Sequence, residues 1–179
     1  MFFIEDKSFL NNKDIDYINK NIIYNNNFPM FLQHNAVAGD NNYFFCHTVI
    51  HRYEQRGEEE PEHNSFLGPF FSDLLKNFCK KHKIKYDKIL RCAINTTFKN
   101  KLTHSNIHTD HLIPHKQLII YLNDVEDKDS KTVILDKNKK TKLKVIQPEL
   151  FKIICFEDRP HYMYFPKYGI RMIAILTFN

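Results

Sequence analysis

The segments KQLIIYLN (116–123) and RMIAILTF (171–178) decide the fold. Both are short, rich in Ile, Leu and aromatic residues, and bounded by polar positions, the composition of strands buried in a sheet. The same character runs from residue 86 to the C-terminus, which predicts strands near 88–98, 116–123, 131–135, 141–147, 151–157, 161–165 and 171–178. Short β-rich segments separated by polar turns are the signature of a sandwich or barrel, so the chain reads as α+β and mostly β.

Ahead of this region the periodicity changes. Residues 14–24 (DIDYINKNIIY) place Ile15, Ile18, Ile22 and Ile23 near three-four spacing behind an acidic start, which predicts an amphipathic helix covering a sheet. Pro69 to Lys81 predicts a second helix, with Phe70, Phe71, Leu74, Leu75 and Phe78 on one stripe and Pro in the first turn. Residues 28–34 and 43–51 have strand composition, with the turn-rich Gly39-Asp40-Asn41-Asn42 between them. Residues 52–65 (RYEQRGEEEPEHNS) are charged and broken by Gly57 and Pro61, and read as an exposed loop of the kind that serves as a lid.

A length of 179 residues fits one compact domain spanning residues 1–179, with a barrel core at about 88–178. Hydrophobic residues at 42% and aromatics at 14% exclude a disordered chain. The N-terminus reaches Glu5 and Asp6 before an apolar run forms, and no stretch approaches the ~20 apolar residues of a membrane span. The chain is therefore expected to be soluble, cytoplasmic and not secreted. Cys46, Cys79, Cys92 and Cys155 are far apart and read as reduced, buried thiols rather than zinc ligands. The net charge of +5 admits a nucleic-acid partner only weakly, because the Lys runs at 80–85 and 137–142 look like a helix end and a hairpin turn.

Asn106-Ile107-His108-Thr109-Asp110-His111 contains a His-x-Asp pair, whose members share one face of an extended segment. With 10 histidines in the chain, such a pair alone carries little weight. The residues C-terminal to it give it meaning: the 116–123 strand, further strands, His161 in Arg159-Pro160-His161, and ten positions later Arg171 at the head of the last strand. On the 88–98 strand, Arg91, Ala93, Asn95 and Thr97 alternate with Leu90, Cys92, Ile94 and Phe98, so one face is more polar and is expected to line a pocket.

In this order of residues the chain resembles the Fe(II)- and 2-oxoglutarate-dependent oxygenases, more particularly their prolyl 4-hydroxylase-like branch. The resemblance covers roughly residues 88–178. It implies a distorted double-stranded β-helix, a jelly-roll or cupin-like barrel, buttressed by the N-terminal helices. It implies a metal held by His108, Asp110 and His161, with 2-oxoglutarate and O2 as cosubstrates. Two imidazoles and a carboxylate on one face of Fe(II) leave positions open for both, whereas a structural zinc site fills its four positions. Arg171 would pair bidentately with the 2-oxoglutarate tail. Tyr121, in Tyr121-Leu122-Asn123, matches a tyrosine that commonly contacts the cosubstrate in that branch, and Asn95 is expected to help hold it.

The chain departs from the branch where a Gly-rich turn is usual, carrying Asp124 to Thr132 with no Gly, and where Ile173 replaces a Ser or Thr. His104, His111 and His115 read as loop histidines, and His47 and His51 as structural ones. Tyr162, Tyr164 and Phe165 read as packing residues. The resemblance implies a dioxygenase hydroxylating a protein or peptide side chain, releasing succinate and CO2. The alternatives are an oxygenase acting on a nucleobase or other small molecule, and a barrel that has lost catalysis and serves as a binding module.

Overall fold

The computed structural model describes residues 1–35, 40, 42–52, 61–125 and 129–179. Its strands are β1 (Phe3–Asp6), β2 (Phe31–Gln33), β3 (Phe44–Ile50), β4 (Ile89–Phe98), β5 (Lys116–Tyr121), β6 (Thr132–Leu135), β7 (Lys142–Ile146), β8 (Ile153–Glu157), β9 (His161–Met163) and β10 (Ile170–Phe178). The helices are α1 (Asn12–Ile18), continued by a π-helical turn over Asn19–Ile23, and α2 (Gly68–His82). The β-rich segments expected from residue 86 onward all form strands, with bounds that move by one or two residues.

All ladders among the described residues are antiparallel. A seven-stranded sheet runs β1-β8-β5-β10-β4-β3-β2, and a three-stranded sheet runs β7-β6-β9. In the large sheet β10 lies between β4 and β5, with Ile173 opposite both Asn95 and Tyr121. Because side chains alternate across a strand, this register sorts them into two layers. Cys92, Ile94, Leu118, Ile120, Ile153, Cys155, Ala174 and Leu176 face one way and pack with Ile18, Ile22, Phe71, Leu74, Leu75 and Phe78 of the helices. Ala93, Ile119, Tyr121, Ile154, Phe156, Ile173 and Ile175 face the other way, onto Ile134 and Ile146 of the small sheet. The site-bearing residues belong to this second layer.

Local chemistry explains the helix ends. Asn11 caps α1, accepting from the Lys13 and Asp14 amides, while Asp14 accepts from the Asn11 amide to complete a capping box. The helix thus starts two residues before the expected Asp14. In α2, Pro69 sits in the first turn, Lys83 closes the end in the left-handed conformation, and Lys80, Lys81 and His82 complement the C-terminal dipole. The expected stripe is buried except for Phe70, which is half-buried and stacks on Tyr17 at 4.3 Å.

The sequence reading missed β1, whose four residues are too few to show a period, and which exists because it pairs with the edge of β8. Asp6 ends this strand and ties it to α2, accepting from Lys81 Nζ at 2.8 Å and His82 Nε2 at 2.9 Å, with the Ser8 amide at 2.9 Å. The expected loop at 52–65 falls largely outside the described residues, as does part of the 39–42 turn. All four cysteines are free and buried, as expected. No described helix is long and apolar enough to cross a membrane.

Two measurements check this packing. Leu75→Ala removes a fully buried side chain at the helix-sheet contact and should cost about 2–5 kcal/mol in urea unfolding. Burial alone would raise the pKa of Asp6, but Lys81, the Ser8 amide and His82 outweigh it and hold the carboxyl below its ordinary range. A depressed native pKa gives stability that is present above the unfolded value and lost as pH falls. Asp6→Asn should therefore destabilise most near neutral pH, and its unfolding curve should converge with wild type on acidification.

Candidate active site

His161 opens β9, and the chain around His108 lies along the opposite edge of that strand from β6. The two histidines exchange backbone hydrogen bonds, His108 N–H to His161 O at 3.1 Å and His161 N–H to His108 O at 2.9 Å. Directly opposed residues in such a pair project to the same side, and their ring centroids lie 4.5 Å apart. Asp110, two residues on from His108, joins them. The ligand atoms of His108, Asp110 and His161 all lie within 4.8 Å of one another, a set that could hold one metal ion.

The protonation states suit that role. His108 Nδ1 lies 2.9 Å from Asn106 O, and His161 Nδ1 lies 2.9 Å from Arg159 O. A carbonyl can only accept, so each Nδ1 carries a proton and the lone pair of the neutral ring lies on Nε2, the outer-sphere arrangement that orients metal-binding histidines. Burial and the neighbouring His108 push the His161 pKa down to about 4, against the opposing pull of Asp110. For Asp110, burial alone would raise the pKa, but His161, Arg91, His108 and Arg52 reverse it and hold the carboxyl far below its usual range. A neutral imidazole and an ionised carboxylate are the forms a metal requires.

The two oxygens of Asp110 differ sharply. Oδ1 accepts from Arg52 Nη2 at 3.2 Å and from Arg91 Nη1 at 3.4 Å, and the Arg52 fork also reaches the Asp110 carbonyl. Oδ2 is buried with no hydrogen-bond partner, 3.6 Å from His161 Nε2. An ionised oxygen left bare in the interior is costly unless a ligand meets it, and a cation between the two imidazoles would do so.

These groups line a cavity of about 670 Å³, counting its mouth, with Phe44, Ile119, Ile173 and Ile175 as its apolar wall. Arg171 lines it too and is only 2% exposed. Its Nη2 donates to Thr132 Oγ1 at 2.8 Å and its Nη1 reaches Met163 Sδ at 3.1 Å. Its Nε has no partner, and no described carboxylate pairs with it. Burial lowers its pKa while Tyr121 works in the opposite sense. A buried cation with no counter-charge among the described residues is a group that an anionic ligand could pair with.

The other expected residues take different places. Asn95 lines the cavity and its Oδ1 is buried without a partner. Tyr121 is not among the lining residues: it is fully buried in the same layer, its hydroxyl bonds Thr132 Oγ1 at 2.7 Å, and its ring lies under Arg171 at 5.4 Å. Gly169, with φ of 67°, makes the turn that delivers β10 and its arginine. His47 is a structural residue bonded to Pro29 O and Ser65 Oγ, each at 2.8 Å. His104, His111 and His115 lie outside the strands, and His111 Nε2 meets Thr177 Oγ1 at 2.7 Å. Tyr162 also lines the cavity.

Sequence reasoning missed Gln117, Met163 and Arg52. Gln117 was within reach of a period-two argument, since it shares a face of β5 with Ile119 and Tyr121; its amide lies 3.4 Å from His161 Nε2. Arg52 gave no local signal, because its partner lies on a loop beyond β4.

No protein-family model matches the chain, and no curated protein matches it in sequence. Solved structures match it in fold. A 2OG-Fe(II) oxygenase family oxidoreductase from Burkholderia pseudomallei superposes with a TM-score of 0.77 at 15% identity, over 99% of this chain and 84% of that one. A prolyl hydroxylase from Trichoplax adhaerens, in complex with a hypoxia-inducible factor peptide fragment, gives 0.65 at 15% identity, over 98% and 82%. A non-heme alpha-ketoglutarate-dependent carbocyclase of nogalamycin biosynthesis gives 0.63 at 8% identity, over 98% and 78%. The chain has the fold of the 2OG-Fe(II) oxygenases, prolyl hydroxylases among them.

Removing a metal ligand should exceed the roughly 10–100-fold loss typical of outer-sphere partners. Asp110→Ala and His161→Ala should each weaken Mn(II) binding by more than about 100-fold in calorimetric titration. Retained affinity in either variant would place the metal elsewhere.

Proposed function

We propose that the chain is an Fe(II)- and 2-oxoglutarate-dependent dioxygenase, a single domain over residues 1–179. Its two facing sheets are read as the distorted double-stranded β-helix of that family. The observation that carries this reading is the bare, buried Oδ2 of Asp110 beside two imidazoles whose Nδ1 atoms donate to backbone carbonyls, which leaves Nε2 of each neutral ring as the lone-pair donor. A binding module that had lost catalysis would have no use for a buried carboxylate oxygen left without a partner.

His108, Asp110 and His161 would hold the metal through Nε2, Oδ2 and Nε2. The Arg171 fork, oriented by Thr132 and backed by Tyr121, would take the far carboxylate of 2-oxoglutarate, with Asn95 beside it. When bound, iron and the 2-oxo acid supply the oxygen-activating redox chemistry, releasing succinate and CO2. Phe44, Ile119, Ile173 and Ile175 keep the region between Arg171 and the histidines dry, which strengthens each charged contact within it.

A protein or peptide side chain is the substrate class we favour, because of the sequence match at Tyr121-Leu122-Asn123 and because a structural neighbour is a prolyl hydroxylase bound to a peptide. The free, buried cysteines support a reducing, cytoplasmic setting. Protein reconstituted anaerobically with Fe(II) and 2-oxoglutarate should form succinate on exposure to O2, faster with a peptide that is a substrate. His108→Ala should abolish it. Wild-type protein that binds neither metal nor 2-oxoglutarate would sink the oxygenase reading; turnover stimulated only by nucleotides or small metabolites would move the substrate class there.

A further inference from the structure

We infer that Arg91 forms a second anion subsite in this cavity, so that the substrate presents an anionic oxo group, a carboxylate or a phosphate, close to the metal. The inference rests on the oxygenase reading and deepens it. Charge is the first reason. Among the described residues lining the cavity, Asp110 is the sole carboxylate, whereas Arg91 and Arg171 both line it and Arg52 reaches in to Asp110. A divalent metal on Asp110 would add two further positive charges. Setting Arg52 aside, Asp110 and the two carboxylates of 2-oxoglutarate, one at the metal and one at Arg171, still leave a positive excess among the described residues that line the cavity.

The geometry singles out Arg91 as the group with capacity left. Arg52 is committed to Asp110 through both its carboxylate and its carbonyl. Arg171 is held by Thr132, Met163 and the Tyr121 ring. Arg91 makes one long bond, Nη1 to Asp110 Oδ1 at 3.4 Å, and bonds nothing else among the described residues. Its side chain is 17% exposed, half-sheltered and open to the cavity. A guanidinium offers five donors in a planar fork suited to an oxoanion, and one weak bond uses little of that.

Arg91 is also placed where 2-oxoglutarate cannot use it. Arg171 pairs with Thr97 and Arg91 with Thr177, at opposite ends of the β4–β10 ladder, about 20 Å apart along the strands at a rise of about 3.3 Å per residue. Asp110 touches Arg91. The metal ligands therefore stand at the Arg91 end, and a cosubstrate running from Arg171 to the metal leaves the Arg91 fork beyond it. An anion seated there would hold the rest of the substrate against the metal's open side, which is the orienting contact that positioning requires.

The test uses the full chain loaded with Mn(II) and 2-oxoglutarate, and three small probes: N-acetylglycine, its primary amide and methyl phosphate. Paramagnetic broadening of each probe's NMR signals reports binding near the metal without turnover. A charge-assisted hydrogen bond predicts that at least one anion binds about tenfold or more tighter than the amide, and the tighter anion names the source of the oxo group. Arg91→Gln should erase that preference and Arg91→Lys should keep part of it, with Mn(II) affinity and thermal unfolding measured alongside to show that each variant is folded and loaded. Equal binding of anions and amide to loaded wild type overturns the inference and leaves the oxygenase reading intact, as does a preference that survives in loaded Arg91→Gln. Failure of wild type to bind Mn(II) and 2-oxoglutarate removes both.

Discussion

The site depends on one pair of backbone hydrogen bonds, exchanged between His108 and His161. Neither residue can place its ring alone: His108 sits on a loop, and β9 is only three residues long. Their exchange turns a loop into a further edge for the small sheet and sets both side chains on the same side of it. Each ring is then turned by its own Nδ1, which donates to the carbonyl two residues earlier. The convergence is therefore mostly main-chain geometry.

Much of this was legible in the chain. Period-two alternation on 88–98 and the order His108, Asp110, His161, Arg171 placed the cavity face and its polar members, because a strand dictates side-chain direction residue by residue. The part that stayed hidden is non-local. β1 is visible only as a partner of β8, and the π-helical turn over Asn19–Ile23 looks in sequence like the continuation of α1. Neither the Arg52 contact with Asp110 nor the Tyr121 contacts with Thr132 and Arg171 could be read, since they depend on how distant segments approach each other.

Electrostatically the cavity is built around unequal treatment of its charged groups. One oxygen of Asp110 is fully engaged by arginine and the other is left bare; one arginine is locked by Thr132 and Tyr121 and another is nearly idle. In a low-dielectric interior such asymmetry raises the energy of the empty site and lowers it when matching ions arrive, so affinity is stored in the fold rather than recruited on binding.

The placement of β10 between β4 and β5 has a consequence for how this chain can vary. Arg171 faces the cavity, while Met172 on its other side packs against the helix layer. Adding or deleting a single residue between Gly169 and Ile173 would turn the strand over, exchanging guanidinium for thioether and driving a positive charge into the apolar layer beneath. Length changes in this family of shapes should therefore accumulate in the connections and be purged from this strand, whose tolerance is for substitution alone.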